Sequence, residues 1–281
     1  MNDSDPAVLP SSSDQNANNK IAALYHSQAK ECLANKAFEN EQWQQCEQFL
    51  RQSLEKRQEA LGDGDASSGA ILDKLGQTYM HLGQVEQAAA TFASGIAILE
   101  KAFYAGHASL APILEHSADC AIAQLQWAEA EPLLKRALEI NEKTLANEHR
   151  STLRCVLKLA AVFSKLNREA ENEALLLKSM KFVDTPLGPA EEFRYQMALA
   201  CLQQNKNELA VEHLLQAISA FQQRHNYKRL ACCYDSYAKA MTALGKPAES
   251  EKAKIEATKF RLLGKSHPYV DDILPATYLR A

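Results

Sequence analysis

Twelve positions in this chain hold only small residues, and their spacing leaves few folds open. Ser27, Gly69, Ala111, Leu153, Glu191 and Ala231 can be taken as the first positions of successive repeats, with steps of 42, 42, 42, 38 and 40 residues. The eighth position is then Ala34, Gly76, Ala118, Ala160, Ala198 and Ala238, and the twenty-seventh is Ser53, Gly95, Ala137, Ser179, Ala217 and Ala257. Antiparallel helices approach to roughly 8–10 Å, and their closest crossing has no room for a large side chain. The twenty-fourth position supplies the bulk beside that crossing: Leu50, Phe92, Leu134, Leu176 and Leu214. Lys254 breaks this series, as expected of a repeat with one solvated face. The strings at 85–101, 127–143 and 169–184 place small and large apolar residues at helical spacing, with charges on the other face. A fixed period of this length marks an array of helix hairpins, each burying its apolar side against its neighbours. The expected fold is an all-α solenoid of about six antiparallel helix pairs.

Composition agrees with that fold and narrows the partners. Among 281 residues there are only 10 Gly and 9 Pro, and 46% are hydrophobic, as in a helix-rich protein. A formal charge of −4 with mixed signs argues against a nucleic-acid surface or an anionic-membrane surface. No apolar run approaches the roughly 18–20 residues needed to span a bilayer. The first twenty residues are polar and lack the apolar core of a secretory signal, so a cytoplasmic location is expected. None of the seven cysteines forms a CxxC pair. Cys46 fills a slot held by Ala88, Ala130 and Ala210 in other repeats, which reads as a reduced core residue and not as part of a disulfide framework.

Taken in order, residues 1–18 are rich in Ser, Asn, Asp and Pro and form an expected disordered tail. Residues 19–264 form the repeat domain, and residues 265–281 form a linker with a short C-terminal cap. Gly or Asn in HLGQ (81–84), KLNR (165–168), QQNK (203–206) and ALGK (243–246) suits the end of a first helix before the second begins. LGDGDASSG (61–69) and TPLGP (185–189) separate one pair from the next.

Gly76, Tyr79, Gly83, Ala88 and Phe92, and likewise Ala118, Ala130, Leu134 and Ala137, give the chain its resemblance to the tetratricopeptide repeat. The period of 42, the string AEPLLKRALEI (130–140) and the linker-like LGKSHPYV (263–270) are similar to the longer variant found in kinesin light chains and many bacterial proteins. The resemblance covers about residues 20–270. It implies a right-handed superhelix whose first helices line a concave groove for peptide or partner segments, with the second helices as the outer wall.

No catalytic signature is present: HExxH, GxSxG, GxxxxGK[ST] and GxGxxG are all missing. His116 and Cys120 lie four apart on an expected helix, but two ligands on one turn do not make a metal site. Asp63 and Asp65 suggest a calcium loop, yet Ser68 and Lys74 stand where that loop needs Gly and Glu. No enzyme activity, cofactor or metal is expected.

What remains is the groove. The resemblance implies that positions 2, 5, 6, 9, 12 and 13 of each first helix face inward. The candidate binding residues are then Glu31 and Asn35 from the first repeat, Asp73, Gln77 and His81 from the second, and Glu115, His116 and Asp119 from the third. The fourth repeat switches sign with Arg154, Lys158 and Lys165, followed by Tyr195, and then Asp235 and Lys239. Arg154 and Lys158, one turn apart, form a candidate pair for a carboxylate or phosphate. Glu31 and Glu115 do not match the family's clamp for C-terminal carboxylates, and the family's ladder of paired Asn residues is absent. The function expected is a non-catalytic scaffold binding a protein or peptide segment in the groove, with no nucleic acid, membrane or small-molecule cofactor as partner. The alternative is a regulatory or sensor subunit that binds a small peptide and changes curvature.

Overall fold

The structure, a computed structural model, describes residues 12–145, 147, 149–180, 182 and 190–266. The described residues form twelve helices and no strand. They are α1 (Ser12–Glu39), α2 (Trp43–Leu61), α3 (Ser68–His81), α4 (Val85–Ala102), α5 (Leu110–Ala123) and α6 (Trp127–Thr144), followed by α7 (Arg150–Lys165), α8 (Glu169–Met180), α9 (Ala190–Gln203), α10 (Asn207–Gln223), α11 (Tyr227–Ala243) and α12 (Pro247–Ser266). Each expected repeat is one odd-numbered helix followed by one even-numbered helix. The chain divides into two compact units, residues 1–120 and 121–281, with the boundary near the end of α5.

The small positions lie where packing requires them. All twelve residues at the eighth and twenty-seventh positions are buried, and Ala118, Ala160 and Ala198 have no exposed surface. Leu50, Phe92, Leu134, Leu176 and Leu214 are buried beside them, while Lys254 is exposed. A methyl group on Gly76 would collide with the Phe92 ring, and one on Gly69 would lie 2.6 Å from a Leu99 methyl. These glycines let large side chains of α4 come directly against the α3 backbone. Five cysteines, Cys46, Cys120, Cys155, Cys201 and Cys233, are buried free thiols as expected; Cys32 is exposed.

One turn recurs in all six repeats. The fifteenth residue (Glu41, Gly83, Leu125, Asn167, Asn205 or Gly245) has a positive φ between 56° and 74°. The next residue donates its N–H back five positions, as in Gln42 to Ala37 O (2.8 Å), Gln126 to Ala121 O (2.9 Å) and Lys246 to Met241 O (2.9 Å). The positive-φ residue itself donates to a carbonyl three positions back, Glu41 to Phe38 and Leu125 to Ile122 among them. This is the Schellman ending, which satisfies the last carbonyls of one helix and sets the chain to start the next at once. His225 makes a seventh such turn, between α10 and α11.

Helix α1 begins at Ser12, seven residues before the expected start of the repeat domain at Asn19. Residues 15–22 on it are exposed. Helix α12 continues to Ser266, two residues beyond the expected domain end at 264. The cap expected within 265–281 and the TPLGP connection lie, apart from the end of α12, outside the described residues. No helix among the described residues is long and apolar enough to cross a membrane.

Candidate functional site

In the second compact unit the first helices α7, α9 and α11 meet around a hollow of about 510 Å³. Its helical lining comes from Ala161, Ser164 and Lys165 on α7, Tyr195, Gln196, Leu199, Leu202 and Gln203 on α9, and Cys232, Asp235, Ser236, Lys239 and Ala243 on α11. Every one of these residues occupies position 2, 5, 6, 9, 12 or 13 of its repeat. Asn205, from the turn before α10, and Asn207, at the first position of α10, complete the wall. Four of the expected residues, Lys165, Tyr195, Asp235 and Lys239, are thereby brought together.

The lining mixes apolar and polar side chains. Leu199, Leu202, Ala161 and Ala243 supply aliphatic surface, and Tyr195 is buried among them with only 5% of its surface exposed. Burial pushes its phenol well above the ordinary range, so it stays protonated at neutral pH. Burial likewise raises the Cys232 thiol, leaving it neutral and weakly reactive. Gln196, Gln203, Asn205 and Asn207 add four amides to the lining; Gln196 is buried, and Gln203 accepts a hydrogen bond from the Ser164 hydroxyl at 3.0 Å. Asp235 is ion-paired with Arg261. Lys239 is exposed, and the Lys165 ammonium lies 6.0 Å over the Trp127 ring. Lys165, Lys239 and the Asp235–Arg261 pair are the charged groups around the hollow.

Beneath it a buried ion pair ties α9 to α11. Arg229 Nε lies 3.0 Å from Glu192 Oε2, and both side chains are almost wholly enclosed. Gln196 Nε2 donates to the other Glu192 oxygen at 3.4 Å. An enclosed pair of this kind contributes mainly to a defined arrangement of its helices, since desolvation consumes most of the attraction.

The other candidates of the fourth repeat are placed differently. Lys158 is buried and Arg154 half-buried; each already interacts with neighbouring groups, and neither lines the hollow. The expected one-turn cationic pair is therefore not presented to a ligand there. Packing of α7 on both sides turns position 6 of this repeat inward to the protein.

In the first compact unit the expected residues are engaged with neighbouring side chains. Asn35 on α1 accepts from Lys74 on α3 at 2.5 Å. Asp73 accepts from Gln77 at 3.0 Å and meets His116 Nδ1 at 2.7 Å. Glu31 pairs with Arg57 and accepts from Ser53 of α2, so it closes the first hairpin. The His81 ring stacks on Trp43 at 3.9 Å, with Phe38 edge-on to both. Glu115 is buried, and Asp119 is half-buried with an interaction of its own. Cys120 Sγ contacts the Val85 carbonyl at 3.4 Å, so His116 and Cys120 serve different partners.

The lining residues Leu199 and Leu202 were not among the sequence candidates. Their signal is present in the sequence, because they occupy positions 9 and 12 of the fifth repeat. Asn205 lies in the connecting turn and Asn207 at the first position of α10, outside the first helices whose register was read.

Residues 109–183 match the family model of the tetratricopeptide repeat. No curated protein matches the chain. Among solved structures, kinesin light chain-like repeats from Podosopora anserina share 24% identity, covering 71% of this chain and 96% of theirs with a TM-score of 0.63. BtubC from P. vanneervenii shares 12% identity, covering 92% of this chain and 95% of its own, with a TM-score of 0.60. A STAND protein with a tetratricopeptide repeat sensor, from Pyrococcus horikoshii, shares 16% identity; 86% of this chain and 36% of that one align, with a TM-score of 0.68. These likenesses establish the fold.

Proposed function

From a chain with the all-α tetratricopeptide-repeat fold, of the kind seen in kinesin light chain-like repeats, we propose a non-catalytic interaction scaffold that holds an extended partner segment in the hollow between α7, α9 and α11. The observation that carries this reading is the convergence of residues from three successive first helices on one cavity lined by both apolar side chains and amides. A peptide backbone has unpaired N–H and C=O groups along its length, and the four surrounding amides offer both donors and acceptors for them. The apolar lining takes an aliphatic or aromatic side chain, and Lys165 and Lys239 favour an acidic residue beside it. Repeats stacked on their neighbours make an extended surface, and such surfaces serve recognition. Tetratricopeptide-repeat proteins generally serve as protein-interaction scaffolds, which agrees with this reading.

The test is fluorescence polarisation against a peptide array varied in charge and in one apolar position. Peptides with adjacent acidic and apolar residues are expected to bind best. Leu199→Trp, which fills the hollow, should weaken them at least tenfold, and Lys239→Glu should invert the charge preference. An array that binds wild type and both variants alike would remove the hollow as the binding site.

A further inference from the structure

Helix α1 is 28 residues long, whereas the other first helices have 14 to 17. One of its faces is buried against α2 through Ser27, Ala34 and Ala37. The opposite face is apolar and open, with Ile21 51%, Tyr25 70% and Leu33 45% exposed. The register shows that this face is a packing face. Ala29, at the third position, is exposed, whereas its equivalents Ile71, Ile113, Cys155, Phe193 and Cys233 are all buried.

We propose that this face pairs with the same face of a second copy of the chain, α1 against α1, antiparallel about a two-fold axis level with Ser27. The face follows Asn18, Ala22, Tyr25, Ala29, Cys32 and Lys36, alternating steps of four and three. That spacing of 3.5 keeps a seam facing a partner helix. Under the two-fold, each residue meets the one equally far on the other side of position 27. Tyr25 then meets Ala29 of the second copy, a large side chain against a small one, and Ala22 meets Cys32. Ile21 and Leu33 cover the two flanks.

Charge selects the antiparallel sense. The seam carries no charged residue from Ala22 to Cys32. Antiparallel pairing sets Lys36 beside Asn18 and keeps the two Lys36 residues about 27 Å apart along the helix axes, at about 1.5 Å per residue. Parallel pairing would put them side by side. A single pair of helix faces is at the small end of specific interfaces, below about 1,200 Å² in total, so the dimer forms reversibly with concentration.

Sedimentation velocity of the full chain from about 1 μM to about 100 μM, the range over which a contact of this size binds, reads the equilibrium. Wild type is expected to pass from monomer to dimer. Tyr25→Glu, at an exposed site, should stay monomeric throughout with an unchanged melting curve, and Leu215→Glu on α10 should behave as wild type. Ala22→Cys tests the register: with oxidised glutathione it should give a covalent dimer whose introduced thiol is joined to Cys32 of the second copy. Wild type should stay unlinked under that treatment, because its two Cys32 residues lie about 15 Å apart along the axes. A wild-type chain monomeric at the highest concentration, as when residues 1–11 cover the face instead, overturns the proposal. So does a dimer that Tyr25→Glu leaves intact, or an Ala22→Cys chain that does not cross-link.

Discussion

The twentieth position of each repeat shows how closely single residues are constrained. Cys46, Ala88, Ala130 and Ala210 fill it with small apolar groups, and Ser250 satisfies its hydroxyl on the Ala238 carbonyl at 2.9 Å. Asn172 fills it too, fully buried, with neither amide atom in a hydrogen bond. Its amide lies near enough to the Glu169 carboxylate to favour the charged form, but without hydrogen-bond geometry; burial prevails and raises the Glu169 pKa. An unsatisfied buried amide costs about 1–3 kcal/mol, so Asn172→Ala should raise stability by that order in urea unfolding. A destabilised variant would show that the amide has a partner after all. His213 on α10 is a second such residue, with its Nδ1 enclosed and unpartnered. Burial, then Arg194, lowers its pKa from the ordinary 6.5. The unfolded chain therefore takes the proton first as pH falls: the neutral ring's contribution is complete above 6.5 and is lost in the window below it. His213→Gln should flatten the part of the stability profile that falls as the pH drops below about 6.5, measured by denaturant midpoints. The sequence shows an Asn in an Ala slot, but whether a neighbour satisfies it depends on side chains brought together from different helices.

At the scale of elements, the six hairpins share one backbone geometry built from different residue types. Gly83, Gly245, Asn167 and Asn205 could be read from the sequence, since these residues enter the left-handed region at little cost. Glu41, Leu125 and His225 adopt it as well, and nothing in their side chains announces it. Packing on both sides dictates where the first helix must stop and the second begin, and the residue at that point complies. Leu125 is 68% exposed and makes no packing contribution that would offset the strain. Leu125→Gly should therefore raise the melting temperature, by about 1 kcal/mol of relieved strain less a few tenths for added chain entropy. Gly83→Ala should lower it by a similar amount. Calorimetry on the pair measures both, and equal shifts of the same sign would contradict the assignment.

For the whole molecule, stability and function draw on the same repetition. Each hairpin buries its small-residue seam against its neighbour, so the inward positions of successive first helices are left to line a hollow. An occupant of that hollow binds only the folded chain. A peptide that fits should raise stability by about 2.7 kcal/mol at a hundred times its dissociation constant, seen as a shift in a thermal melt. Leu199→Trp should abolish that shift while the unliganded melt stays within a few degrees of wild type. A peptide that shifts the variant equally binds elsewhere.

The residues alone determined the period, the hairpins and the buried seams, because helix contact at 8–10 Å tolerates only Ala, Gly or Ser at the crossing and that requirement is written position by position. Which face of α7, α9 and α11 lines the hollow came from the resemblance to the tetratricopeptide repeat, applied to that register. Tertiary structure alone decided which inward charges remain available. Lys158 is enclosed, Asp235 is held by Arg261, and Asp73 is shared by His116 and Gln77. The Asp235–Arg261 and Asp73–His116 pairings join residues 26 and 43 apart in the chain. Sequence spacing within one helix carries no information about them.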